Sequence, residues 1–390
     1  MKLADLRAQG ISVRLKDQQK NIGLSPIDKI TKKLLHQVAA HKEALIEELK
    51  EEWSVTRKPT VPRVGNELES LIPVKIDDED CGCDTMKRRM NKWGVKGCIE
   101  NRGEIIEHLE EQANGRIPLA RFMGPFPRLA ADHLLNKAIA ACRFTVVWVY
   151  WHGGAASDEL RYSMRSAVEN LTDAHNFVVC GDKPPWYDGL FIHSPRYGRK
   201  HAKKEFGTGR FCKVIDSIVK LERIVASPLV TEHFLWMYDD TFIVKESSVA
   251  DLSVPRASGR LYDGENPRDR IHRRKWKEER RRTMVALMDR NLPVRNYSTH
   301  IPIVYSKEKL QQTFDEFQPR TRARCIESLY MNHHCTHASK TASYLQYAKQ
   351  PREGFTINPQ STVVNVGGFN RAVQLVIKER FTEATKWEKP

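Results

Sequence analysis

The sequence predicts an α/β fold: a mostly parallel sheet of nucleotide-binding type with helical cover, preceded by an α-helical N-terminal region. Three observations carry that prediction. The run Phe234-Leu235-Trp236-Met237-Tyr238 is apolar throughout and ends abruptly in Asp239-Asp240-Thr241, as a central strand covered on both faces would. Thr145 to Trp151 is dense in β-branched and aromatic residues and ends in His152-Gly153-Gly154. Around these two runs, strand-like and helix-like segments follow in the order β-α-β-β-α-β, a pattern that calls for crossover helices and parallel strands.

In chain order, Ser25-Pro26-Ile27-Asp28 reads as a helix start, with an N-cap serine, a proline in the first turn and an acid at the third position. Apolar residues then recur at Ile27, Ile30, Leu34, Val38, Leu45, Leu49 and Trp53, the spacing of one helical face. Residues 55–66, with Pro59, Pro62 and Gly65, form a linker, so 1–66 is an N-terminal helical region. A small helical module follows over 67–142, with helices expected at Arg102–Ala113 and Leu129–Ala141. Its Cys81, Cys83 and Cys98 can supply three thiolates to a structural Zn²⁺, with His108 or Cys142 as the fourth ligand. The irregular spacing suits three reduced, partly buried cysteines as well.

The remainder, 143–390, is the expected catalytic domain. Strands are expected at Thr145–Trp151, Asn176–Cys180, Leu190–His193, at the run ending in Asp239, and at Thr299–Tyr305. Helices are expected at Glu159–Leu171, where Leu160, Met164, Val168 and Leu171 share a face, at Lys213–Ile224, around Leu310–Phe317, and at Cys325–Asn332. A basic insertion spans 256–290. Within it, Arg268 to Arg282 holds nine Lys or Arg against three acids. Arg273, Arg274, Lys275, Lys277, Arg280 and Arg281 would track a phosphate backbone; a solvated helix or a lid closing on a diphosphate fits the same residues.

Composition narrows the class. With 390 residues, 40% hydrophobic and 29% charged, the chain is ordinary for a globular protein. No apolar run reaches 18 residues, so no membrane-spanning helix or membrane partner is expected. The opening residues lack a signal-peptide core, and eight scattered cysteines suit a reducing compartment, so the cytoplasm is the expected location. The excess of 64 basic over 49 acidic residues, a net charge of +15, favours polyanionic partners. The absence of Gly-x-x-x-x-Gly-Lys-Ser/Thr, Gly-x-Gly-x-x-Gly and nucleophile-elbow motifs argues against P-loop ATPases, Rossmann dehydrogenases and α/β-hydrolases.

Chemistry concentrates at Asp239 and Asp240. Two acids at the carboxyl end of a central strand make a hard oxygen site for Mg²⁺ or Mn²⁺, which can in turn hold a diphosphate. A strand followed by an acidic turn has the same pattern. Asp182 follows a strand end and suits either ligand contact or capping. His300 precedes Ile301-Pro302 and suits either catalysis or a structural hydrogen bond.

With those residues placed, Asp239-Asp240-Thr241 resembles the Asp-x-Asp motif of metal-dependent glycosyltransferases of the GT-A fold, with threonine in the third position. Glu159-Leu160-Arg161-Tyr162-Ser163-Met164-Arg165-Ser166 resembles the Glu-Leu-Arg-Tyr-Ser-Leu-Arg-Ser segment of the Stealth sugar-phosphate transferases. Phe177 to Trp186 resembles their following strand and Pro-x-Trp turn, and Ser298-Thr299-His300-Ile301-Pro302 their later His-x-Pro segment. The likeness runs from about 145 to 330 in the same order. Their opening Trp-Val-Asp/Asn-Gly stands here as Trp151-His152-Gly153-Gly154, without the acid, which favours glycosyl transfer over phosphotransfer.

The resemblance implies that Asp239 and Asp240 hold Mn²⁺ or Mg²⁺ on a nucleotide-sugar. It makes His300 a third metal ligand or a general base, and Asp182 and Asp240 further catalytic residues. Arg161, Arg165, Trp151 and Gly153 then contact the donor. A likeness to phage enzymes that add sugars to hydroxymethylated DNA bases, joined to the basic charge, makes DNA the favoured acceptor and the phage host's cytoplasm a setting. The alternatives are a hexose-1-phosphate transferase acting on a surface polysaccharide, and a nucleic-acid-binding protein on an inactive transferase core.

Overall fold

The computed structural model describes residues 5–6, 9, 11–16, 21–25, 30–46, 48, 61–72, 82–116, 126–154, 158–261, 274–335, 339–340, 344–348, 354–367 and 369–389. The chain divides into two units, Met1–Thr60 with Asp289–Asn291, and Val61–Met288 with Leu292–Pro390.

In the first unit, β1 (Ser12–Lys16) and β2 (Asn21–Ser25) form an antiparallel hairpin. Helix α1 (Lys32–Ala40) follows, buries Leu34 and Val38, and starts on Thr31, whose hydroxyl accepts from the Leu34 N–H at 3.2 Å. The expected helix start at Ser25-Pro26 is therefore corrected: Ser25 ends a strand, and a threonine six residues later supplies the cap.

The second unit opens with α2 (Val64–Leu71), α3 (Cys83–Glu100), α4 (Arg102–Arg116) and α5 (Phe126–Ala141). Val64, Leu68, Met86, Met90, Cys98, Ile105, Leu135 and Ile139 share one apolar core. Helix α3 bends at Gly94, whose φ of 64° suits a residue without a Cβ.

The α/β body comprises β3 (Phe144–Tyr150), α6 (Glu159–Asn170), β4 (Ala174–Gly181), β5 (Leu190–His193), α7 (Arg199–Phe206), α8 (Cys212–Ala226), β6 (His233–Met237) and β7 (Thr241–Ile243). It continues through α9 (Val249–Leu252), β8 (Arg256–Ala257), α10 (Arg274–Met288), β9 (Ile303–Ser306), α11 (Lys307–Phe317), α12 (Pro319–Arg322) and α13 (Ile326–His334). The last elements are β10 (Ser339–Lys340), β11 (Leu345–Ala348), β12 (Val363–Val366) and α14 (Arg371–Arg380).

The main sheet has the order β5-β4-β3-β6-β9, with β9 antiparallel to its neighbour and the others parallel. Period-two alternation splits each strand between two cores. Val146, Trp148, Val179 and Leu235 pack with Leu160 and Met164 of α6 on one face. Val147, Val178, Phe234 and Trp236 pack with Ile215 and Ile218 of α8 on the other. Burial on both faces is why these strands read as apolar runs. A smaller sheet, β11-β12-β7, adjoins it.

Topology positions the site. The chain leaves β3 for β4 on one side, while β6 lies on the other side of β3. The reversal places a crevice beyond the carboxyl ends of β3 and β6, the usual ligand position in open α/β sheets.

Candidate functional site

Tyr150 ends β3, and the turn Tyr238-Asp239-Asp240 connects β6 to β7, so the two acids stand where the chain passes from the large sheet to the small one. Several contacts fix that turn. The Thr241 N–H donates to the Tyr238 carbonyl at 3.2 Å, and the Val366 N–H to the Asp240 carbonyl at 3.0 Å. The Ser163 hydroxyl of α6 donates to the Thr241 carbonyl at 2.5 Å and itself accepts from the Trp148 indole at 2.9 Å. From β12, the buried Asn365 amide donates to Asp240 Oδ1 at 2.9 Å and to Thr241 Oγ1 at 2.8 Å.

The electrostatics are those of crowded acids. Burial pushes the Asp239 carboxyl up to about 7, and repulsion from Asp240 and Glu159 adds to it. Burial also raises Asp240, against the opposing pull of His300 and the Asn365 hydrogen bond. Tyr150 is raised by burial first, then by Asp239, Glu159 and Asp182. Carboxylates from the ends of three strand or helix segments therefore converge on one crevice. A hard divalent cation suits such a pair, because it would supply the positive charge that burial and repulsion leave wanting. Among the described residues, no three His, Cys, Asp or Glu side chains gather into a self-sufficient metal site.

His300 is exposed, with a φ of 51°, and its ring stacks on Tyr238 at 4.9 Å between centroids. That left-handed backbone corrects the expected strand start at Thr299: the residue occupies a bend, and β9 begins only at Ile303. Tyr238 donates to Glu327 Oε1 at 3.3 Å, and burial raises the Glu327 carboxyl despite the nearby His300.

The other sequence-predicted residues fall in distinct places. Asp182 Oδ2 accepts from the His152 N–H at 2.9 Å, tying the end of β4 to the turn after β3. In that turn Trp151 is 37% exposed. A Cβ added at Gly153 or Gly154 would lie 2.7 or 2.2 Å from its ring, and the Arg196 guanidinium covers the ring at 3.0 Å from the centroid. Arg165 donates to both Glu388 oxygens at 2.8 and 2.7 Å and to the Phe381 and Thr382 carbonyls. Arg161 lies 3.4 Å from Glu388 and 4.9 Å from the Trp186 ring. Both arginines thus share a face, as their spacing predicts, and both meet the carboxylate of Glu388.

In the basic insertion, Arg273 lies outside the described residues, as do the side chains of Arg274, Lys275 and Lys277. Arg281 pairs with Glu278 at 3.0 Å, and the Arg280 Nε is buried without a hydrogen-bond partner. Cys81 also lies outside the described residues. Cys83 begins α3, whereas Cys98 near its far end is fully buried, its thiol donating to the Met90 carbonyl at 3.4 Å and pushed up to about 12 by burial.

Sequence reasoning did not single out Tyr238, Glu327 and Asn365, and it read Glu159 only as a helix start. Asn365 had a signal, a lone amide inside Val363-Val364-Asn365-Val366. Glu327 had a similar one, a lone acid in Cys325-Ile326-Glu327-Ser328-Leu329 at the start of an expected helix. Compared with known proteins, the chain matches no family model and no curated relative.

Proposed function

We propose that this chain is a metal-dependent glycosyltransferase with a GT-A-like core, moving a sugar from a nucleotide-sugar to an acceptor hydroxyl. The observation that carries the reading is the Asp239–Asp240 pair at the crevice between β3 and β6, with burial and mutual repulsion raising Asp239 to about 7. Asp239 and Asp240 would hold Mn²⁺ or Mg²⁺, with donor phosphate oxygens and water completing the shell. When bound, that ion neutralises charge growing on the departing nucleoside diphosphate.

The chain's own residues position the reaction. Asn365 and Ser163 hold the acidic turn rigid, so the carboxylates need no reorganisation when the donor arrives. His300, exposed and stacked on Tyr238, is the base that takes the acceptor hydroxyl's proton as the new bond to the sugar forms and the sugar–phosphate bond breaks. DNA carrying a hydroxymethylated base is the favoured acceptor, because it presents an alcohol on a polyanion suited to a chain of net charge +15.

Incubation with Mn²⁺, a panel of nucleotide-sugars, and hydroxymethylated or plain DNA, followed by intact-mass analysis of nucleosides, tests this. A gain of one sugar mass on the hydroxymethylated substrate, absent with Asp239→Asn, is the expected result. A gain of one hexose phosphate would replace this reading with hexose-1-phosphate transfer. No donor turnover with any acceptor, in protein shown to bind donor, would overturn it.

A further inference from the structure

We propose that the segment from Arg196 through α7 is a docking surface for nucleic acid, placed beside the crevice. Five basic residues, Arg196, Arg199, Lys200, Lys203 and Lys204, lie within nine positions that contain no acid. Arg199, Lys200, Lys203 and Lys204 are exposed, and none of them is paired with a carboxylate among the described residues. The pairs Arg199/Lys203 and Lys200/Lys204 are each one helical turn apart, about 6 Å along the axis. Nearby acids are already engaged. Tyr197 donates to Glu205 at 2.5 Å, and Asp216 accepts from Lys220 and from the Tyr197 N–H. Glu205 keeps its charge, so the segment from Arg196 to Phe206 sets five basic residues against one acid and carries a net charge of +4.

Its position ties it to the crevice. His193 of β5 registers with Gly181 of β4, and the Ser194 N–H donates to the Gly181 carbonyl at 3.2 Å. Asp182 follows at once and binds the His152 N–H. Arg196 closes the connection by lying over Trp151, whose ring also lies against Gly153 and Gly154. Trp151 thereby supports the half-buried Arg196 guanidinium, the group assigned here to stack on an unstacked base.

The chemistry selects the partner. A membrane-binding helix needs an apolar face to insert, but the apolar residues of α7 are Ala202, which is buried, and Phe206, which packs against Phe211 at 5.8 Å. A lysine-rich helix beside an arginine that already contacts a tryptophan ring suits phosphates on one side and bases on the other. Identifying this nucleic acid as the sugar acceptor rests on the transferase reading, whereas the docking does not.

The test is a fluorescence-anisotropy titration of the full chain with a labelled single-stranded oligonucleotide of roughly 20 nucleotides, in EDTA and without donor, over about 50–200 mM salt. The triple variant Lys200→Glu/Lys203→Glu/Lys204→Glu should bind at least about 30-fold more weakly, with a salt slope shallower by about 2. Lys200→Gln/Lys203→Gln should move the same way by a smaller amount, which keeps the test decisive if the triple variant folds poorly. Lys96→Glu/Lys137→Glu, at exposed lysines of α3 and α5, should change affinity less than about threefold. Arg196→Ala should weaken the oligonucleotide about tenfold while leaving heparin affinity within about twofold, as loss of base stacking requires. Unchanged oligonucleotide affinity in the lysine variants would overturn the proposal. Equal losses for heparin and oligonucleotide in Arg196→Ala would also overturn it, making the surface a general polyanion site. Because the titration contains neither metal nor donor, its failure leaves sugar transfer untouched, and failed transfer leaves the titration untouched.

Discussion

Asp239→Asn should stabilise the protein at neutral pH while abolishing sugar transfer. The wild-type carboxyl titrates near 7 rather than the ordinary 3.8, chiefly because it is buried and then because Asp240 and Glu159 repel it. Below the ordinary value the group is protonated in both folded and unfolded chains and costs nothing. Between 3.8 and about 7 the unfolded chain releases the proton that the folded chain keeps. Folding therefore loses about 1.4 kcal/mol per pH unit over that window and nothing further above it. The full penalty is about 4 kcal/mol, and an asparagine of the same shape does not incur it. Urea unfolding of both proteins in EDTA, from pH 5 to pH 8.5, measures the difference. The advantage of the variant should grow by about 3 kcal/mol between pH 5 and pH 7 and then level off. At pH 8, Mn²⁺ should stabilise the wild type and leave the variant unmoved, since only the ionised pair binds it. A difference of equal size at pH 5 and pH 8 would refute the reasoning, for it would mean that Asp239 titrates as an ordinary carboxyl.

Other perturbations probe the supports of the site. Asn365→Ala strips Asp240 Oδ1 and Thr241 Oγ1 of their amide donor and should cost about 1–3 kcal/mol in urea unfolding. Gly154→Ala drives a Cβ to 2.2 Å from the exposed Trp151 ring, so the ring must swing aside; a shifted tryptophan emission and a stability change within about 0.5 kcal/mol are expected. Glu388→Gln removes the charge from a carboxylate only 5% exposed that binds Arg165 with both oxygens, and should cost about 3–5 kcal/mol. Burial alone would raise Glu388, but Arg165 and the Thr385 N–H hold it below the usual range. Its contribution is therefore present above the ordinary glutamate range and lost as pH falls through its depressed value. Thermal melts of wild type and Glu388→Gln should converge toward low pH.

The legible parts of the sequence were those whose residues declare both faces of an element. Leu190–His193 appears as a strand over those same residues, and Glu159–Leu171 appears as Glu159–Asn170, because a compact apolar run and an amphipathic helix leave strong local signals. Asp239 and Asp240 stood out because an apolar run ends on them. The β7–β12 pairing left no such trace: Asn365 meets Asp240 across 125 positions, and pairing between distant segments has no local signature. Helix α7 was passed over because only Ala202 of its eight residues is buried, so no apolar stripe marks it. Ser25-Pro26-Ile27-Asp28 carried every local mark of a helix start, yet Ser25 pairs with Ser12 in the hairpin; a tertiary pairing overrode the cap signal.

The order in which the parts of the site occur along the chain has a consequence for its synthesis. Strands β3 to β6 and both acids emerge early, whereas the amide that braces Asp240 comes 125 residues later, and the carboxylate that engages Arg165 comes 223 residues after that arginine. A nascent chain still held by the ribosome would carry an unbraced pair of acids and two uncovered arginines. The crevice would mature only once its last segment had cleared the exit tunnel. The Lys389 N–H, which bonds the Trp186 carbonyl at 2.7 Å, belongs to the same late step.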